Sequence, residues 1–202
     1  MRLVRMAFLD TPKILDKYRD KGLLWGVEPN SFIKKLPLLL KPCLTLDVGI
    51  GEGRNALFLA KQGFVVEGVD ISKDAVNKCM VPANKLGLPI KCFIEDIMNF
   101  KFTKKYGLII SVATLHLVKK DKVLEVIRRI KDNTTNGGIN LITVFTDADE
   151  GESKYPNLYF FAPNELSNLY SDWDILECGN YTKEENHGSP HTHHFSAIIA
   201  RK

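Results

Sequence analysis

The 202-residue sequence predicts a doubly wound α/β sheet. Three observations carry that prediction. Short apolar runs alternate with helix-like segments from Cys43 onward, a glycine-rich turn joins the first run to the first helix, and acids stand at the ends of the first three runs. Buried runs separated by helices argue for a parallel sheet covered on both faces. Right-handed crossovers then leave the doubly wound arrangement as the natural solution.

In chain order, Leu44–Val48 is the first strand, and Asn55–Lys61 is a helix ended by Gly63. Phe64–Val69 is the second strand, closed by Asp70. Ser72 has the side chain to cap a helix running to about Leu86, which Gly87 ends and Pro82 should bend or shorten. Ile90–Ile94, Gly107–Val112 and Ile139–Phe145 supply three more strands, with a helix over Lys120–Lys131 before the last. The ending differs: a short helix at Asn164–Tyr170 precedes two strands, Trp173–Cys178 and Phe195–Ala200, with no crossover helix between them. Those two strands should pair antiparallel. Residues 1–42 are expected to form an N-terminal helical cap on a core spanning 43–202, the whole being one domain.

The net charge of +4 is spread along the chain, which argues against a nucleic-acid partner. The apolar run Leu36–Leu40 is short and broken by Pro37, so no membrane span is expected, and no signal-peptide pattern follows Arg2 and Arg5. Cys43, Cys79, Cys92 and Cys178 form no paired motif, which fits a reducing cytoplasm better than a disulfide framework; a monomer or homodimer is expected.

Chemistry concentrates at Asp47-Val-Gly49-Ile-Gly51-Glu-Gly53-Arg-Asn-Ala56. Glycines there allow a tight turn and close approach of a ligand, and the helix that follows offers unpaired N–H groups. The spacing Gly51-Glu-Gly53-Arg-Asn-Ala56 also fits a dinucleotide fingerprint, so an NAD-linked oxidoreductase stays open. The acids favour S-adenosylmethionine (SAM). Asp47 can accept from an ammonium, Asp70 can hold both ribose hydroxyls, and Asp96 can accept from an adenine amino group. Taken singly, Asp70 or Asp96 reads equally well as a helix cap.

Together with Gly68-Val-Asp70-Ile-Ser72, Glu95-Asp96-Ile97, the Leu115-His116 pair and Asn136-Gly137-Gly138, this pattern resembles the class I SAM-dependent methyltransferases. Gly53-Arg54-Asn55, Trp25-Gly26-Val-Glu28-Pro29-Asn30 and the final Ile199-Ala200-Arg201-Lys202 are similar to the tellurite-resistance (TehB-like) group and, through it, the thiopurine methyltransferases. Gly107 departs from the acid usual after the tyrosine. The resemblance implies a Rossmann-like seven-stranded sheet of order 3-2-1-4-5-7-6 with strand 7 antiparallel. It implies SAM as cofactor, S-adenosylhomocysteine (SAH) as its product, and a small-molecule acceptor such as a tellurite- or selenite-like oxyanion or a thiol. It also implies cofactor contacts at Trp25, Asp47, Gly49, Ile50, Gly51, Gly53, Arg54, Asn55, Asp70, Ile71, Asp96, Ile97 and near Ser111. Trp25 has the alternative of packing on the core, and Arg54 that of a structural ion pair.

The acceptor side is read from the segment 181–194, expected as a loop over the sheet edge where ligands bind. It holds His187, His191, His193 and His194. His187, His191 and His193 suit orientation or deprotonation of the acceptor. The same three would also make a three-nitrogen metal site, or a non-catalytic metal-binding protein, although their spacing matches no standard motif. For His116 a pocket-lining role is favoured. No nucleophilic triad is needed, because methyl transfer from a sulfonium is an in-line displacement that rests on alignment and dryness.

Overall fold

A computed structural model describes residues 14–149, 158–186 and 190–202. Its seven strands are β1 (Leu44–Val48), β2 (Val65–Asp70), β3 (Ile90–Ile94), β4 (Tyr106–Val112), β5 (Thr134–Phe145), β6 (Asp174–Asn186) and β7 (Pro190–Arg201). They form one sheet in the order β3-β2-β1-β4-β5-β7-β6. β1 through β5 run parallel, and β7 lies antiparallel between β5 and β6. This is the expected order and direction.

Side-chain alternation along the central strands feeds two cores. Leu108 and Ile110 of β4 join one core with Leu59 of α3 (Arg54–Lys61) and Val76 and Cys79 of α4 (Lys73–Lys85). Ile109 points the other way, toward Val126 and Ile130 of α5 (Val123–Asp132) and Leu166 of a short helix, Glu165–Leu169. Two short helices precede β1, α1 (Ile14–Lys17) and α2 (Leu36–Leu39). Ile33, in a 3-10 turn just before α2, and Leu36, which opens it, close the first core from the N-terminal side.

Several boundaries differ from the sequence reading for identifiable reasons. The Ser72 hydroxyl caps α4 by accepting from Ala75 N at 3.2 Å, and Pro82 does not shorten that helix, which runs on to Lys85. Lys120 lies outside α5, because a 3-10 turn at Leu115–Leu117 and a bend delay its start to Val123. β5 starts at Thr134, five residues early, with an irregular register opposite Tyr106 and Leu108 that absorbs Gly137 at φ +74°. The largest correction concerns the expected loop at 181–194. Tyr181–Asn186 and Pro190–His194 are paired strands, so β6 and β7 extend as a ribbon well beyond the sheet. Their polar sequence gave no apolar alternation to mark them. Of the expected N-terminal cap (1–42), residues 1–13 lie outside the described residues. Among the described residues no helix is long and apolar enough to cross a membrane.

Candidate active site

The carboxyl ends of β1, β2, β3 and β4 open into a cavity of about 730 Å³. Its floor is the turn between β1 and α3. There the Gly49 and Ile50 amides donate to the Val69 carbonyl at 2.8 and 3.2 Å, tying the turn to β2. Gly49 has φ +76°, and a β-carbon on it would fall 2.1 Å from Thr114 Oγ1, so no other residue fits without displacing the β4 end. Gly53, at φ +83°, caps α3 and lies against Cys79, whose Sγ would be 2.3 Å from an added β-carbon. The backbone thus passes between α4 and the cavity with no side chain between.

Asp70 is fixed from two directions. Its Oδ2 accepts from Gly51 N and its Oδ1 from Ser72 N, both at 2.8 Å. Burial raises its pKa, and these amide bonds oppose the rise. Each oxygen keeps a second lone pair, so the carboxylate still has acceptor capacity for a pair of hydroxyls. Asp96, at the start of the turn after β3, accepts from Met98 N through Oδ1 at 2.9 Å. Both acids line the cavity with Gly49, Ile50, Gly51, Gly53, Arg54, Asn55, Ile71 and Ile97.

Two of the expected contacts are placed behind the wall. Asp47 is 1% exposed and does not line the cavity. Burial, and secondarily the charge of Asp70, push its pKa up to about 8, while Arg54 opposes them. Its Oδ2 has no hydrogen-bond partner among the described residues. Ser111 is fully buried with its hydroxyl likewise unpartnered, and the end of β4 instead presents Val112, Ala113 and Thr114 to the cavity. Ala113 carries φ +53° and is held by bonds from its amide to the Thr143 carbonyl and Oγ1, both 3.0 Å.

The opposite wall comes from the N-terminal segment. Trp25 lines the cavity and donates through Nε1 to Tyr18 Oη at 3.0 Å. Arg54 donates to the Trp25 carbonyl at 3.2 Å and lies 5.9 Å from the Trp25 ring centre. Asn55 Oδ1 accepts from Asn30 N at 3.0 Å. Burial pushes the Tyr18 hydroxyl up to about 12, against the lowering effect of the Trp25 bond. Sequence reasoning missed Tyr18, Thr114 and above all Glu52, which is 4% exposed and lines the cavity between two glycines. Only the choice of a charged residue inside so tight a turn could have flagged Glu52.

Among the described residues no histidine lines this cavity. His193 Nδ1 lies 2.9 Å from Asp149 Oδ2, and the same oxygen accepts from His194 N at 3.0 Å. The His193 ring stacks on Phe145 at 4.6 Å, and Phe145 stacks on His116 at 4.3 Å. His116 is buried, which pulls its pKa down to about 3, and its Nδ1 has no partner among the described residues. His187 lies outside the described residues, as does the side chain of His191. Among the described residues no group of three His, Cys, Asp or Glu side chains is placed to hold a metal.

The family of the tellurite resistance protein TehB matches residues 27–197. The chain belongs to the TehB family. A curated relative, the probable S-adenosyl-L-methionine-dependent methyltransferase TehB of Haemophilus influenzae, is 30% identical over 168 residues, covering 81% of this chain. The chain spans 59% of that relative's length. The crystal structure of TehB from Haemophilus influenzae superposes with a TM-score of 0.78 at 25% identity, covering 96% of this chain and 67% of that one. The N-methyltransferase NodS of Bradyrhizobium japonicum, solved with S-adenosyl-L-homocysteine, shares the fold at a TM-score of 0.71 and 13% identity, covering 96% of this chain and 100% of that one. The sheet order is therefore that of the methyltransferase Rossmann-like fold.

Proposed function

We propose that this TehB-family chain is a cytoplasmic SAM-dependent methyltransferase acting on a small-molecule acceptor. One observation carries the reading. Asp70, held by the glycine-loop amide of Gly51, and Asp96 border a single cavity floored by Gly49 and Gly51. This set of acceptors suits an adenosine with a charged tail. Asp70 would take the ribose hydroxyls, Asp96 the adenine amino group, and Ile71 and Ile97 would flank the purine. Asp47, with its unpartnered buried oxygen behind Gly49, suits a neighbouring ammonium or water.

When bound, SAM supplies an electrophilic sulfonium methyl. The chain's own residues bind, align and exclude water, and an in-line displacement asks no more of them. With Asp70 and Asp96 given to the cofactor and Glu52 paired with Lys78, Lys119 and Lys120 among the lining residues suit an anionic acceptor such as a metalloid oxyanion or a thiolate, although Glu95 and Asp121 also line the cavity. His193, oriented by Asp149, is the acceptor-side histidine of this reading, and His191 belongs to the same strand, β7.

Calorimetric titration with SAH and with NADH tests the cofactor. SAH binding with a Kd in the micromolar range and no NADH binding is expected, and the reverse would make the chain an NAD-linked oxidoreductase. Methylation assays with tellurite, selenite and small thiols then separate the acceptor classes.

A further inference from the structure

Glu52 makes more bonds to the N-terminal segment than to its own loop. Its Oε2 accepts from the amides of Leu24 at 2.7 Å and Trp25 at 3.2 Å. Its Oε1 accepts from Lys78 Nζ at 2.9 Å. Lys78 stands on α4 and donates a second bond, 2.6 Å, to the Gly22 carbonyl. The Glu52 side chain is 2% exposed and that of Lys78 19% exposed, so the pair is shielded from screening by solvent. Glu52 sits between Gly51, whose amide holds Asp70, and Gly53, which caps α3. One carboxylate therefore joins the floor of the cavity to the strap that forms its opposite wall.

We propose that Glu52 is a positioning residue. With Lys78 it latches the Gly22–Trp25 strap across the cofactor cavity, so that Trp25 can leave only when the glycine loop gives up its ion pair. The inference rests on the methyltransferase reading for what fills the cavity, but the latch itself belongs to the ligand-free protein. Carboxylate chemistry is required. Oε1 and Oε2 both accept, from donors on opposite sides. A glutamine there must turn its NH₂ toward either an ammonium or two amides, leaving donors facing donors.

That asymmetry provides the test. With Trp173→Phe as background, Trp25 is the sole tryptophan. Acrylamide quenching then reads the strap in the free protein, and stopped-flow dissociation of SAH reads it in the complex. Glu52→Gln should raise Trp25 quenching and speed SAH dissociation about tenfold. Adding Lys78→Met should cost less than the two single variants together, because the amide can then point its NH₂ at the vacated side while only the Gly22 bond stays lost. Two variants that merely destabilised the loop independently would add. Unchanged quenching and dissociation in Glu52→Gln, or fully additive effects in the double variant, overturn the latch. Should Glu52→Gln not fold, Lys78→Met alone must raise quenching, and no change there overturns it equally. If the wild-type chain binds no SAH, the methyltransferase reading fails, and the quenching measurement still decides the latch.

Discussion

Gly49 and Thr114 meet so closely that a β-carbon on Gly49 would lie 2.1 Å from the threonine hydroxyl oxygen and 2.7 Å from its β-carbon. The first turn and the end of β4 thus share one wall of the cavity. Gly49→Ala must both strain a backbone at φ +76° and push Thr114 into the ligand space. The expected outcome is loss of SAH binding with destabilisation of about 2–4 kcal/mol, read by calorimetry and urea denaturation. Gly87→Ala is the control: its φ is +60° but nothing lies within 4 Å, so it should show backbone strain alone and bind SAH normally.

Asp47 gives the protein a pH-dependent cost. Burial and then the charge of Asp70 raise its pKa to about 8. Below about pH 4 the folded and unfolded chains both carry the proton, and the group contributes no slope. As pH rises, the unfolded chain ionises first while the folded one keeps its proton. Stability therefore falls, and the fall ends only near pH 8, where the folded carboxyl ionises as well. Asp47→Asn should flatten this part of the profile. It should make the ligand-free protein more stable than wild type by a few kcal/mol near neutrality, yet weaken SAH binding by an order of magnitude or more. Denaturation at several pH values with and without SAH checks both signs.

His116 acts in the opposite direction. Burial lowers its pKa to about 3, with nearby His193 adding to the effect and Asp149 opposing it. The folded chain holds it neutral while the unfolded chain takes a proton below about pH 6.5, so this contribution is lost as pH falls from there toward 3. His116→Phe keeps a ring against Phe145 and removes the titrating group. Thermal melts from pH 7 to pH 4 should fall less steeply in the variant than in wild type. Parallel curves would show that the buried imidazole is not what acid attacks.

What could be read in the sequence follows from the range of each signal. The βαβ alternation, the glycine loop and the acids Asp70 and Asp96 are local patterns, and the cavity brings them together. The expectation near Ser111 has the resolution of a strand pattern, whose side chains alternate faces: Ser111 is buried, and its neighbour Val112 lines the cavity. Glu52 was invisible as a binding residue because its partners, Leu24 and Trp25, lie 28 and 27 residues away. The β6–β7 ribbon was hidden for another reason. Residues such as Thr182, Lys183 and Glu184 carry no apolar alternation, and only the partner strand makes them β.

Asp149 supplies the last prediction. It is 5% exposed and accepts from both His193 Nδ1 and His194 N. A carboxylate beside Nδ1 favours the tautomer with its proton there, leaving Nε2 as the lone pair. Asp149→Asn keeps one oxygen for both donors but loses the charge and brings an NH₂ into the buried site, where the amide can turn it toward Nδ1, so the imidazole loses its fixed tautomer at a cost of about 1–3 kcal/mol. Because His193 and Asp149 lie outside the cavity, SAH affinity should stay within about twofold of wild type, small on the scale of one lost hydrogen bond. Methylation should nevertheless slow at saturating SAH and acceptor, and His193→Gln should slow it to a similar degree. Imidazole ¹⁵N shifts should report a mixture of tautomers in Asp149→Asn and a single tautomer in wild type. A slowed rate with unchanged SAH affinity would place this pair on the acceptor side. An unchanged rate in both variants would remove the pair from the reaction and leave Asp149 a purely structural acceptor for the start of β7.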